Sequence, residues 1–280
     1  MNRTTRRVGL AALAFALISA LPAMAQDEGE VITKQYDDGS VYEGTFRNGL
    51  QHGTGTYRLP NGFEYSGEWV DGKITGTGRA VYPNGSVYEG GFTDGKPDGK
   101  GKITYPDGST YEGDWTGGVI AGQGRATYPD GSSYEGAFTG AVPDGIGMMT
   151  LPDGYTYRGQ FKEGQREGRG RAVWADGTVY AGEFKAGLRH GKGQLTMPDG
   201  FTYVGDWVEG EMQGQGRATY PTGDIYEGSF ERGKRQGKGT LTYASGDLAE
   251  GEWLNGILVA PPEAPAPAEG AGGTAAAPAS

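Results

Sequence analysis

The stretch DGSVYEGTF, Asp38–Phe46, decides the fold because it returns along the chain in slightly altered form. Close copies are NGSVYEGGF from Asn84, DGSTYEGDW from Asp107 and DGSSYEGAF from Asp130. Its tyrosine recurs every 23 residues from Tyr42 onward without an insertion. A fixed period of this length is typical of one structural unit that is used many times.

Each repeat predicts a β-hairpin. Tyr, Gly and Phe or Trp follow one another at every second position and therefore share one face of a strand. The residues between them are mostly polar, and a Gly-x-Gly strand follows in the same register. Between repeats, Pro-Asp-Gly favours a type I turn with a left-handed residue at its end. The pattern predicts an antiparallel sheet with an aromatic, glycine-rich face and a charged face.

The glycines within the strands need a reason, since each costs about 0.5–1 kcal/mol relative to alanine. We expect rings to lie over glycine backbone, in a register that places Trp69 across from Gly76 and Tyr65 near Ala80. The predicted fold class is all-β: an elongated single-layer twisted antiparallel sheet of about ten tandem hairpins.

A second period of 46 residues lies over the first, because Gly-x-Gly is followed by arginine in every other repeat only. These arginines form a candidate basic ladder: Arg79, Arg125, Arg171 and Arg217. They face away from the rings. The sequence leaves two roles open, pairing with cross-strand acids or binding a polymeric acidic partner.

The repeating unit, Y-x-G-x-[F/W]-x-x-G-x-x-x-G-x-G-x-x-x-[Y/L/M]-P-[D/N]-G, resembles the MORN (membrane occupation and recognition nexus) repeat over roughly residues 31–258. Departures include Ala141 for a turn glycine and Ala175 for a turn proline. The resemblance implies an elongated single sheet with roles in protein contact and membrane association. In enzymes that carry such arrays, a separate domain is catalytic, so we expect this chain not to be an enzyme.

The two ends differ from the array. Residues 1–25 combine arginines, the apolar stretch Val8–Leu21 and Ala23-Met24-Ala25, which predicts a signal peptide cleaved before Gln26. The apolar stretch is shorter than the roughly 20 residues that span a bilayer. We therefore expect an exported bacterial protein, periplasmic or secreted. Residues 26–36 are predicted as a half-repeat cap, 37–258 as the array and 259–280 as a disordered Pro/Ala-rich tail.

The charge of the chain argues against nucleic acid as a partner. Removal of the predicted signal peptide leaves 22 basic and 35 acidic residues, a net charge of −13. Such a chain is repelled by phosphate backbones. The absence of cysteine from the sequence excludes disulfides and thiolate chemistry.

No arrangement of residue types predicts a catalytic, cofactor or metal site. His52 and His190 are six repeats apart and cannot share a metal. Turn aspartates such as Asp107 and Asp130 recur about 9–10 Å apart by strand spacing, whereas calcium ligands lie within about 2.6 Å of the ion. Turn chemistry explains these aspartates more simply.

The aromatic face is the other candidate surface, and the sequence leaves it open whether the rings pack as a core or line an exposed groove. Its residues are Tyr65, Trp69, Tyr88, Phe92, Tyr111, Trp115, Tyr134, Phe138, Tyr157, Phe161, Tyr180, Phe184, Tyr203 and Trp207. The leading hypothesis is a non-catalytic scaffold that binds protein in the cell envelope, with homo-oligomerisation through a sheet edge or face left open. The alternative is a binding module for phospholipid head groups or envelope glycans.

Overall fold

The computed structural model describes residues 29–259, so the predicted signal peptide and nearly all of the tail lie outside the described residues. In this range the chain forms 21 strands joined in one antiparallel sheet, with no helix. Each strand pairs with the strands before and after it in the sequence, as in Tyr65↔Ala80 and Ala80↔Tyr88. The predicted fold class, a single open layer of tandem hairpins, is confirmed.

The strands alternate between two lengths, apart from short ones at the two ends. The end strands are β1 Ile32–Gln35 and β21 Ile257–Leu258. The seven-residue strands are β2 Val41–Arg47, β4 Glu64–Val70, β6 Val87–Thr93, β8 Thr110–Thr116, β10 Ser133–Thr139, β12 Thr156–Lys162, β14 Val179–Lys185, β16 Thr202–Val208, β18 Ile225–Glu231 and β20 Leu248–Leu254. The nine-residue strands are β3 Leu50–Arg58, β5 Lys73–Val81, β7 Lys96–Thr104, β9 Val119–Thr127, β11 Val142–Thr150, β13 Gln165–Val173, β15 Leu188–Thr196, β17 Glu211–Thr219 and β19 Lys234–Thr242.

Two kinds of turn alternate along the two long edges of the sheet. The turn within each repeat has two residues with positive φ, as at Asn48 (51°) and Gly49 (80°). This is the type I′ geometry that matches the twist of paired strands. In the turn between repeats, Gly108 has a φ of 86° and donates to the Tyr105 carbonyl at 3.0 Å. Asp107 accepts from the Ser109 amide at 2.9 Å, which confirms the predicted turn chemistry.

Of the two cross-strand pairs predicted between β4 and β5, one is confirmed and one is wrong. Tyr65 lies across from Ala80 as predicted, but Trp69 lies across from Ile74 and not from Gly76. The two-residue turn fixes the pairing next to it, and a bulge at Gly76 (φ 66°) then absorbs the extra residues of β5. The Glu68 carboxylate accepts from the Thr77 amide at 2.9 Å and secures this bulge. Thus the first glycine of each Gly-x-Gly supplies a conformation that other residues rarely adopt.

The second glycine makes room for a ring. A β-carbon on Gly78 would lie 2.5 Å from Cε2 of Tyr65, so the tyrosine, and not the tryptophan, covers the glycine backbone. The buried Tyr65 hydroxyl donates to the Glu68 carbonyl at 3.1 Å. Its ring meets Trp69 and Phe92 edge to face at centroid distances of 5.5 and 5.0 Å. Repeated contacts of this kind join the repeats into one continuous ring layer.

The 46-residue period reflects alternating side-chain volume in that layer. A small residue faces the strand tyrosines in alternate repeats, as Ala80 does for Tyr65 and Tyr88. In the next repeat the same place is filled by a large side chain, Ile103. Repeats that carry tryptophan in place of phenylalanine gain a hydrogen bond, since the Trp115 indole donates to the Gly101 carbonyl at 3.2 Å.

Candidate functional site

The predicted aromatic face is buried. The relative exposure of its members runs from 0% to 7%. The sequence left open whether these rings pack as a core or line an exposed groove, and in the described residues they pack as a core. These residues are Tyr65, Trp69, Tyr88, Phe92, Tyr111, Trp115, Tyr134, Phe138, Tyr157, Phe161, Tyr180, Phe184, Tyr203 and Trp207. Binding of a ligand on this side of the sheet stays a prediction.

Burial also sets the acid–base behaviour of the ring layer. It raises the pKa of Tyr134 to about 12, because the phenolate would lose its hydration among apolar rings. The neutral Tyr134 hydroxyl instead donates to the Ala137 carbonyl at 3.0 Å. These hydroxyls are therefore structural donors near neutral pH.

The predicted basic ladder belongs to a longer row of exposed residues that crosses the opposite face, here called the polar row. Successive cross-strand partners in it alternate in charge: Arg79, Glu89, Lys102, Glu112, Arg125 and Glu135. Two of the ladder arginines contact acids directly. Arg79 Nε lies 3.4 Å from Glu89 Oε1, and Arg217 Nε lies 2.9 Å from Glu227 Oε1.

In the middle of the polar row the alternation of charge gives way to two arginines in succession. Glu135 is followed by Met148, then by Arg158 and Arg171, which lie directly opposite each other on β12 and β13. Ala181 follows, so no acid flanks the two arginines in the row. Like charges at opposite positions destabilise a sheet. This arrangement therefore has no structural benefit of the kind that the charge pairs provide.

An open groove leads to this break. It has a volume of about 1120 Å³ and crosses strands β6 to β12, from Glu89 to Arg158. One glycine from each of the strands between these ends lines its floor. Charged side chains of both signs form its walls, while Ile146 and Met148 are 60% and 43% exposed at its end. Lys100 Nζ lies 2.6 Å from Asp114 Oδ1. This hydrogen bond is the main reason why the pKa of the Asp114 carboxyl is below its ordinary value. The groove thus ends at two exposed apolar side chains and Arg158, and Arg171 lies opposite Arg158 on the next strand, just beyond the groove lining.

A second set of arginines, which the sequence analysis missed, lies half-buried on the ring side. The guanidinium carbon of Arg189 is 4.4 Å from the Trp207 ring centroid, and Arg189 donates to the Gly210 carbonyl at 2.7 Å. Arg235 repeats both contacts, at 4.2 Å over Trp253 and 2.7 Å to Gly256. Burial lowers the pKa of Arg189. The signal was present in the sequence: arginine replaces Ile or Pro two residues before the Gly-x-Gly.

The remaining candidates are structural in this arrangement. His52 Nδ1 lies 3.5 Å from Asp71 Oδ1, beside a tight turn. Among residues 29–259, no group of three or more His, Cys, Asp or Glu side chains is arranged to hold a metal ion. The same part of the chain has no helix long and apolar enough to cross a membrane.

Comparison with known proteins agrees with the repeat geometry. The MORN repeat profile matches nine segments: 42–63, 65–87, 88–110, 111–133, 134–154, 157–179, 180–202, 203–225 and 226–248. Alsin from Rattus norvegicus is 49% identical over 49 residues, and alsin from Homo sapiens is 45% identical over the same length. These matches cover 16% of this chain and 3% of alsin, so the chain spans a small part of these relatives.

Similar solved structures include two domains of other proteins. The TCP10 domain of Danio rerio CPAP has a TM-score of 0.41 and 15% identity, over 79% of this chain and all of that domain. The TCP domain of Drosophila melanogaster SAS-4, solved with a proline-rich motif of Ana2, has a TM-score of 0.36 and 16% identity over 56% of this chain and 89% of that one. The match that decides the family is the repeat profile, which covers most of the described sheet. The chain belongs to the MORN repeat family.

Proposed function

We propose that this protein is a non-catalytic scaffold of the cell envelope that binds an extended segment of a partner protein along the groove of its polar face. MORN repeats mediate protein or membrane interactions. The observation that carries the proposal is the break in the charge alternation at Met148, Arg158 and Arg171. Export to the envelope rests on the predicted signal peptide of residues 1–25.

The groove defines the chemistry of the partner segment. An acidic side chain would pair with Arg158 and Arg171, which relieves the repulsion between two opposite guanidinium groups. An apolar side chain next to it would cover Ile146 and Met148. Walls of mixed charge favour a polypeptide with both signs over a uniform polyanion.

The second candidate is binding of phospholipid head groups or envelope glycans. Arg158 and Arg171 favour it, because two adjacent guanidinium groups also suit a phosphate. The net charge of −13 expected after signal-peptide removal opposes anionic membranes. It does not oppose zwitterionic lipids or peptidoglycan.

Crosslinking inside cells followed by mass spectrometry tests the first proposal, in parallel with co-sedimentation on liposomes and peptidoglycan. The decisive variant is R158E/R171E. Its matched control is R217E/E227R, which exchanges a ladder pair outside the groove whose neighbours in the row, Val204 and Thr240, are uncharged. We expect a protein crosslink that is lost in R158E/R171E and kept in R217E/E227R. Sedimentation with lipid or peptidoglycan alone, without a protein crosslink, would overturn the scaffold proposal.

A further inference from the structure

Because the chain is made of repeats, equivalent positions can be compared within one molecule. At one tryptophan position the arginine found at two others is missing. Trp207 and Trp253 each lie beneath an arginine, Arg189 and Arg235. The equivalent tryptophan four repeats before Trp207 is Trp115, and the residue equivalent to the arginines is Pro97. A pocket of about 600 Å³ lies over this region of the ring layer, here called the Trp115 pocket.

The Trp115 pocket retains the other groups that hold an arginine. Arg189 donates to the carbonyl of Gly210, and the equivalent residue in the pocket wall is Gly118. Arg235 also lies within 5.8 Å of the Tyr220 ring, whose equivalent, Tyr82, lines the pocket as well. The ring, the carbonyl and the second aromatic wall are therefore present, whereas the guanidinium is not part of this repeat.

Pro97 cannot fill the space that an arginine occupies elsewhere. Its short ring stays next to the backbone, opposite Phe92 on the neighbouring strand. Arg189 and Arg235 instead reach across to the next tight turn, at Gly210 and Gly256. The corresponding volume is part of the Trp115 pocket, and Trp115 is 7% exposed, against 2% for Trp207 and 5% for Trp253.

We propose that the Trp115 pocket binds the guanidinium group of an arginine side chain presented by a partner polypeptide. The group would stack on Trp115 and donate to the Gly118 carbonyl, as Arg189 does at Trp207 and Gly210 and Arg235 at Trp253 and Gly256. Guanidinium is the cation that combines planar stacking with directed hydrogen bonds. The chain's net charge of −10 favours the approach of a cation.

The lining explains why an arginine fits better than a simple ammonium ion. None of the residues that line the pocket is charged, so no carboxylate replaces the strong hydration of an ammonium group. Arg189 and Arg235 likewise have no acidic partner in the described part of the chain. Ser86 adds a polar atom to the wall, since its buried Oγ has no hydrogen-bond partner.

This pocket is on the ring side, whereas the groove proposed above is on the polar side. The two proposals can therefore fail independently. Loss of binding at Arg158 and Arg171 would leave the Trp115 pocket unchanged, and filling the pocket would leave the groove unchanged.

The test uses the full chain and three small probes: methylguanidinium, methylammonium and p-cresol. The indole N–H resonance of Trp115, assigned with Trp115→Phe, reports binding. We expect a saturable shift with methylguanidinium at a dissociation constant on the order of 1–10 mM, and weaker binding of the other two probes. Equal binding of p-cresol, or no saturable shift, would overturn the proposal.

Two reciprocal variants make the test specific. Pro97→Arg supplies the side chain within the repeat and should weaken methylguanidinium binding at least tenfold. Arg189→Ala should open an equivalent site and add a saturable shift at the Trp207 indole. If Pro97→Arg fails to fold, Arg189→Ala still decides the question. Unchanged binding in Pro97→Arg, or no new site in Arg189→Ala, would contradict the assignment.

Discussion

The Tyr65 ring rests directly on the backbone of Gly78, where an added β-carbon would lie 2.5 Å from the ring. Gly78→Val should therefore destabilise the fold by about 1–3 kcal/mol or more, because neither the ring nor the paired strand can move away freely. Lys102→Val is the matched control, since Lys102 is an exposed strand residue of the polar row. Urea unfolding measures both variants. Equal losses would contradict the role given to the second glycine.

Ala141 is a departure from the repeat that the structure shows to be strained. Its φ is 66°, a left-handed conformation at a turn position that is glycine in the other repeats. Ala141→Gly should stabilise the protein by up to about 1 kcal/mol.

The control for this substitution is Ala181→Gly. Ala181 is exposed in strand β14, where glycine costs about 0.5–1 kcal/mol. The two alanine-to-glycine changes are thus expected to shift the thermal midpoint in opposite directions. A shift in the same direction would show that the Ala141 turn is not strained.

Alkaline pH should unfold the sheet. Burial raises the pKa of Tyr65 to about 12, and that of Tyr134 equally, whereas an unfolded tyrosine titrates near 10. A raised folded pKa means that this contribution to stability is complete below pH 10 and is lost as pH rises from about 10 to about 12. Phenolate absorbance and circular dichroism should therefore change together. Ionisation of the buried tyrosines near pH 10 with the sheet intact would contradict this account.

Stability should follow the 46-residue period, because each repeat contacts its neighbours only. Deletion of residues 180–225 removes two repeats and keeps the alternation of large and small residues opposite the tyrosines, because Ala172 is then followed by Leu241. Deletion of 180–202 alone would place Tyr203 between Ala172 and Ala218, which leaves an underfilled layer. The longer deletion should have the higher thermal midpoint. The reverse order would show that the alternation has no energetic role.

Much of this fold could be predicted from the sequence because its rules are local. Alternation placed Tyr42 and Phe46 on one face, and Pro and Gly spacing gave the turns. The pairing of Trp69 could not be predicted, since it depends on a bulge fixed by turn geometry and by Glu68. The groove and the Trp115 pocket could not be predicted for a related reason. Both are formed by residues of several repeats, which come together only through the register of the strands.

A photo-crosslinking residue at Met148 tests most directly the claim that the groove binds a protein segment. The same residue at Leu254, which is 53% exposed, is the control away from the groove. The account predicts that Met148 captures a defined partner protein in cells, that R158E/R171E abolishes this capture, and that Leu254 does not capture it. Equal capture from both positions, or capture unaffected by R158E/R171E, would contradict it.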